Sequence, residues 1–459
     1  MSQVESAYDT AEQRRREQRA WYFYDWANSA YVTVVATVLF APYLTAVAER
    51  AACGPGVSDD NPCHTDLRVL GLSVSAGSLV FYVVTVATIM SAVLLPIVGA
   101  IADRSGAKKR LMAGFAWAGS LAAGGMFFVT GSNWQLGAVL LLIANMCLGA
   151  SLVVYDAILC EVATPDERDT VSSRGWALGY FAGTLLLSIN LAVVSLHDSL
   201  GLSEGMAVRL SLLSAAVWWA AFTWIPYRGL RDRPPVAPVP ESGGLGRQSF
   251  GQLLDTLRHL RSYPMTLTFL LAYLFYNDGI QTVIVTASTY GEKELGFETA
   301  VLIATIVLVQ FVAFFGALLF GRLAGSYGSR KTILAGLGVW MLVVTIGYFL
   351  PREEIVPFLA LAVLIGLVLG GTQALSRSLY SQLIPKGREA EYFSLYQACE
   401  RGTSWLGTLV FGLVHQWTDS YRPATFALIG FFAVGLVLLW RVDTRRGIAE
   451  AGNRAPTLV

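Results

Sequence analysis

Residues 21–31 read WYFYDWANSAY, and this stretch sets the problem. An acid, Asp25, stands near the start of a long apolar segment, with Asn28 one helical turn behind it. The chain around them has 459 residues, 54% hydrophobic and only 14% charged, which is too apolar for one soluble core. Its apolar residues come in runs of about 20, the length that spans roughly 30 Å of hydrocarbon as a helix. Lipid offers no partners to backbone N–H and C=O groups, so the runs are read as helices that pair internally.

Runs bounded by charge or by Gly and Pro clusters place spans at 21–48, 75–101, 110–130, 134–156, 171–195 and 208–226. Six more follow at 264–290, 298–322, 331–350, 356–381, 391–415 and 421–441. The expectation is an all-α membrane protein with twelve transmembrane helices and both termini on one side. One set of loops holds only Arg50, Arg68, Arg209, Lys293, Arg352 and Arg422; with Arg377 and Arg401 placed inside spans, the other 25 of 33 basic residues lie with the termini. Lys and Arg are retained on the cytoplasmic side, so both termini are expected there. Ala46-Val47-Ala48 after a basic start imitates a signal-peptide cleavage site, but the first span is too long and too polar at its start.

Residues 1–226 are read as one six-helix half and 264–441 as the other, with 442–459 a cytoplasmic tail. The connection, 227–263, carries RDRPPVAPVP and SGG, which is linker composition. Its later part places Phe250, Leu253, Leu254, Leu257 and Leu260 at helical spacing beside Arg258 and Arg261, the pattern of an amphipathic helix lying on the membrane surface.

The halves share punctuation. GAIADRSGAKKR (99–110) and GRLAGSYGSRKT (321–332) align at an offset of 222, matching Gly99 with Gly321, Ala102 with Ala324, Gly106 with Gly328, and Lys108-Lys109 with Arg330-Lys331. Gly325 replaces Asp103 in the second copy. A glycine turn here holds an acid near a neighbouring helix N-terminus, where the dipole favours negative charge. GSYGSRKT is not a phosphate loop, because Arg330 occupies the position that needs glycine.

Six plus six helices with this loop repeated resemble the major facilitator superfamily. Gly99, Asp103, Arg104, Gly106 and Lys109 match its loop pattern, and the resemblance implies a gating role for them. FYDWANSAY, GGTQALSRSLYSQLIP (370–385) and EYFSLYQ narrow the resemblance to the autophagy-related vacuolar effluxer-like branch, also called the unknown major facilitator family. This covers the chain from Trp21 to about Trp440 and implies a small-solute exporter; fungal members are associated with release of amino acids from the vacuole.

By that resemblance the first, fourth, seventh and tenth helices line the central cavity. Their polar residues are Asp25, Asn28, Asn145, Tyr155, Asp156, Asn277, Asp278, Gln281, Gln373, Arg377 and Tyr380. An ionisable side chain at the bilayer centre costs about 3 kcal/mol on insertion scales, so each is a candidate for substrate or ion coupling. Asp25 and Asn28 share a helix face; they serve either a cavity or an aromatic interfacial belt with Trp21, Tyr22, Tyr24 and Trp26. FYND at 275–278 echoes FYDW at 23–26, yet the expected spans put Asp25 near a membrane face and Asp278 at mid-span. Gln373, Arg377 and Tyr380 form a stripe, with Arg377 either pairing with an acid such as Asp156, holding a substrate carboxylate, or snorkelling. Glu400 and Arg401, adjacent in the eleventh helix, serve packing or function. Gly366, Gly370 and Gly371 serve packing or bending of the tenth helix.

Cys53 and Cys63, in an external loop with GPG and NP turns, have spacing that permits a disulfide. Four scattered histidines and no nucleophile arrangement leave no metal site, cofactor or enzyme chemistry to argue, and nothing points to nucleic acid. The expectation is a monomeric secondary transporter of a small polar solute, an exporter working by alternating access, driven by protons or by the solute's own gradient. A sensor or scaffold with the same fold is the rival. Arg outnumbers Lys 28 to 5, which suggests a GC-rich bacterium and its plasma membrane.

Overall fold

The computed structural model describes residues 10–54, 63, 65–69, 71–235, 258–402 and 404–459. The first half contains α1 (Ala11–Cys53), α2 (Ala76–Ser105), α3 (Lys108–Phe128), α4 (Trp134–Val162), α5 (Arg168–Ser195) and α6 (Glu204–Gly229). The second contains α7 (Pro264–Thr289), α8 (Thr299–Tyr327), α9 (Ser329–Phe349), α10 (Ile355–Leu383), α11 (Glu389–Gly402 and Ser404–Thr418) and α12 (Tyr421–Arg441). A short α13 (Thr444–Glu450) follows. Among the described residues ten helices are long and apolar enough to cross a membrane. Of the other two, α7 carries Asn277, Asp278 and Gln281 within its apolar run, and α11 is described as two stretches, Glu389–Gly402 and Ser404–Thr418.

Several helices outrun their apolar runs, because a helix does not stop where hydrocarbon does. The largest correction concerns α1, which starts at Ala11, ten residues before the expected span at 21. Thr10 caps it, its Oγ1 accepting from Gln13 N at 3.2 Å. Arg14, Arg15, Arg16 and Arg19 therefore form its first turns, and Asp25 sits well inside the bundle. Tyr31–Leu39 of α1 is π-helical, a widened stretch of the kind often found at functional sites. A second departure is a hairpin of β1 (Asp66–Val69) and β2 (Leu72–Ser75), antiparallel with Asp66 opposite Ser75. Cys53 and Cys63, bridged by a disulfide, tie the end of α1 to the loop before this hairpin.

Small residues set the helix contacts, as expected where lipid supplies no hydrophobic drive between helices. A Cβ on Gly370 of α10 would stand 2.1 Å from Ala313 O of α8, so α10 has no room for a side chain there. That assigns Gly370 to packing.

The described start of the connection between the halves is anchored to α1. Arg231–Pro235 is held in place: Glu17 of α1 accepts from Arg231 N at 2.9 Å and pairs with Arg233 at 2.9 Å. Most of the amphipathic segment, Phe250 to Leu257, lies outside the described residues; Leu260 is buried, and Arg258 and Arg261 are exposed.

Candidate functional site

The two halves meet mainly at the end of the bundle that carries the basic loops. Arg377 of α10, 2% exposed, crosses from the second half into the first. Its Nη2 lies 3.0 Å from Asp25 Oδ2 of α1 and its Nη1 3.3 Å from Asp156 Oδ1 of α4. Nε donates to Ser172 Oγ of α5 at 2.9 Å, and Nη2 also to Ser172 O at 3.1 Å. Trp21, Tyr155 and Trp176 surround the guanidinium, with ring centroids 4.8, 5.3 and 5.4 Å from Cζ. Tyr155 donates to Asp25 Oδ2 at 2.8 Å. Snorkelling is thereby excluded for Arg377, and so is a free fork: its donors are spent on the protein.

The remaining candidates divide. Gln397 of α11 joins the cluster, donating to Asp156 Oδ2 at 2.8 Å. Asn28 turns back on its own helix, donating to Tyr24 O at 2.6 Å. Asn145, partly exposed, accepts from Tyr31 OH at 3.1 Å. Asn277 accepts from Gln373 at 2.9 Å and donates to Glu400 O at 3.3 Å, so this pair ties α7 to α10 and α11 within one half. Asp278 accepts from Gly407 N at 2.8 Å through Oδ2, while Oδ1 is buried without a partner. Gln281 is partly exposed and makes no hydrogen bond among the described residues. Tyr380 is a correction: it is packed inside the second half, donating to Tyr392 O at 2.9 Å and stacked on Phe269 and Tyr396.

The sequence echo has a structural counterpart. Tyr24 donates to Ser151 of α4, and the equivalent Tyr276 of α7 bonds Ser376 of α10 at 2.6 Å. With α1 starting at Ala11 the depth conflict disappears, and Asp25 aligns with Asn277 rather than with Asp278.

A second layer lies nearer the basic face. Asp103 accepts from Ala390 N at 3.0 Å and Glu391 N at 2.9 Å, capping the start of α11 from the other half. Gly99 permits this crossing, since a Cβ there would stand 2.5 Å from Ala390 O. Gly321 plays the matching part in α8, where a Cβ would meet Ser173 of α5 at 2.7 Å. Lys108, rather than Lys109, completes the inter-half contact, reaching Asp103 at 3.1 Å, Glu161 at 2.9 Å and Glu389 at 3.7 Å. Lys109 instead donates to Leu230 O at 3.1 Å. Gly106 takes φ +59° to end α2, and Arg104 makes no hydrogen bond or ion pair among the described residues. Arg168 of α5 donates to Ser381 O at 2.7 Å, and Asp169 accepts from Ser378.

Toward the opposite face the cover is lost. Val84, Thr85 and Val86 of α2 are all exposed, and consecutive helical residues point about 100° apart, so both the lipid side and an inner side of α2 are bare. The halves are thus joined across the basic face, while this stretch of α2 is uncovered.

Residues 13–452 match the family model described as vacuole effluxer Atg22 like. The chain belongs to the vacuole effluxer Atg22-like family. Among relatives of this Atg22-like chain, an uncharacterized MFS-type transporter, YxiO, of Bacillus subtilis (strain 168) is 31% identical over 446 residues, covering 96% of this chain and 98% of that protein. Autophagy-related protein 22 of Pyricularia oryzae is 26% identical, covering 98% of this chain and 79% of its own length. Among solved structures, the major facilitator superfamily transporter FucP in the outward conformation superposes with TM-score 0.67 at 14% identity, covering 94% and 98% of the two chains. A bacterial homologue of the iron transporter ferroportin in its outward-facing state gives 0.66 at 14% identity, covering 94% of this chain and 100% of that one. The Atg22-like chain thus has the major facilitator fold of twelve helices in two halves, and it is a secondary transporter rather than an enzyme.

Sequence reasoning missed Ser172, Gln397 and Lys108 as partners of the site. Ser172 and Gln397 stand on α5 and α11, outside the helices expected to line the cavity. The available signal was polar residues just inside the basic end of each helix.

Proposed function

We propose that this transporter exports a small polar solute across a bacterial plasma membrane, and that Arg377 is the latch of its alternating-access cycle. Amino acids are the first class to test, and the basic face is cytoplasmic, in keeping with retention of Lys and Arg on that side. The observation that carries the reading is the buried bridge from Arg377 to Asp25 and Asp156, which joins the halves. Opening the basic face separates α10 from α1 and α4, and Arg377 then gives up both acids. Two carboxylates face one guanidinium in this bridge, so a single proton makes the set neutral. Protonation of Asp25 or Asp156 removes half of the attraction and eases release, which couples the cycle to a proton gradient. Separation of the halves about a central site is the rocking motion of this architecture.

The test is efflux of a labelled amino-acid mixture from proteoliposomes, wild type against Asp25→Asn, with and without a pH gradient. Wild-type efflux is expected to respond to the gradient, and the variant is expected to lose that response. Gradient-independent efflux shared by both proteins overturns the proton coupling. Absence of efflux of any amino acid by folded wild type removes that substrate class.

A further inference from the structure

Of the two arginines in the middle of the bundle, Arg377 has its donors engaged; Arg401 does not. Arg401 lies in α11 and makes one hydrogen bond, from Nε to Gln397 Oε1 at 3.4 Å. No acid stands within ion-pair distance of it among the described residues, and Nη1 and Nη2 have no protein partner there. The adjacent Glu400 does not pair with it; Glu400 Oε2 accepts from Gln397 Nε2 at 3.2 Å instead. Arg401 points inward rather than to lipid: its Cζ is 3.7 Å from where a Cβ on Gly149 of α4 would stand, so the guanidinium reaches the facing half above the latch. Both Glu400 and Arg401 are partly exposed, unlike Asp25, Asp156 and Arg377.

An unpaired guanidinium at mid-membrane depth is costly, and such groups persist where a path or ligand uses them. A planar fork with two free N–H edges matches a carboxylate in bidentate geometry. We infer that Arg401 is the subsite that takes the carboxylate of the transported solute. This rests on the transporter reading above and adds to it the charge the solute carries. Gln397 is then a positioning residue between subsite and latch: its Oε1 faces Arg401 and its Nε2 holds Asp156, which holds Arg377. A carboxylate that draws Arg401 off Gln397 thereby reaches the latch in three contacts.

Phenylglyoxal labelling of the full-length protein in membrane vesicles, read by peptide mass spectrometry at Arg401 and Arg377, tests this. Arg401 is expected to label and Arg377 to be protected. The probes are L-alanine and L-lactate, each beside its amide. Occupation by either acid is expected to slow labelling at Arg401 on the order of tenfold at saturation, with the amides without effect, because a charge-assisted bidentate contact is at stake. A Gln397→Glu variant, which offers Arg401 an internal carboxylate, is expected to abolish the protection while leaving Arg401 in place. Arg401 as unreactive as Arg377, no protection by either acid, or equal protection by the amides overturns the proposal. Counterflow of the same solutes in proteoliposomes separates the two readings: protection without transport removes the transporter mechanism and leaves the subsite, and transport unchanged in Arg401→Gln removes the subsite alone.

Discussion

Arg377 and Asp25 stand 352 residues apart in the chain and 3.0 Å apart in the fold, one on each half of the transporter. Such a pair holds the halves together only while both charges are buried and matched. Removing one partner leaves the others stranded in a low dielectric, which costs more than the pair contributes.

Arg377→Ala is accordingly expected to destabilise the protein by about 3–5 kcal/mol. Arg377→Lys keeps the charge but not the fork that serves Asp25, Asp156 and Ser172 together, and is expected to fold with a smaller loss. Thermal unfolding of purified protein in detergent, compared across the two variants, checks the order.

Closure of the basic face depends on the bare backbone at Gly99. Gly99→Val places a side chain against Ala390 O, and overpacking of this kind costs about 1–3 kcal/mol. The population is expected to shift toward an open basic face. Cys160 is a native reporter: it is 8% exposed and its Sγ faces Ser381 O across the two halves. Its alkylation by a membrane-impermeant thiol reagent is expected to accelerate in Gly99→Val.

Asp103→Ala removes the acceptor for Ala390 N and Glu391 N and strips Lys108 of one of three acids. Loss of a helix cap costs about 1 kcal/mol. The same Cys160 assay is expected to respond in the same direction, more weakly than to Gly99→Val.

The chain after α13 straps the closed face. Asn453 donates to Gln382 O and Ile384 O in the second half, at 2.9 and 2.7 Å. Thr457 donates from N and Oγ1 to Asp166 in the first, at 2.6 and 2.7 Å. Those two hydrogen bonds hold the Asp166 carboxyl below its ordinary value of 3.8. A depressed carboxylate contributes fully above its ordinary value and loses its contribution as pH falls through the lowered one. Proteolysis between 453 and 459 is therefore expected to be slow at neutral pH and to rise once pH drops below 3.8. Asp166→Asn is expected to show fast cleavage at neutral pH.

Reduction provides the last check. Alkylation of the unfolded chain is expected to label Cys147, Cys160 and Cys399 without reductant, and Cys53 and Cys63 in addition with it. Closing the intervening loop stabilises by about 2–4 kcal/mol, so a Cys53→Ser variant is expected to unfold earlier.

The sequence by itself determined the membrane class, the helix order and the repeated loop, because runs of about 20 apolar residues and the side on which Lys and Arg collect are local properties. It also singled out Asp25, Asp156 and Arg377, since an ionisable residue inside such a run is conspicuous alone. What it did not determine is who meets whom. The start of α1 was hidden because a polar helical segment carries no hydropathy signal, and this displaced Asp25 from its true depth. Tyr380 looked like cavity lining because helical spacing fixes a stripe and not the neighbour it faces. Only the packing of α10 and α11 against α1, α4 and α5 decided that Arg377 is consumed by the protein while Arg401, adjacent to Glu400 in sequence, keeps a single hydrogen bond, to Gln397, among the described residues.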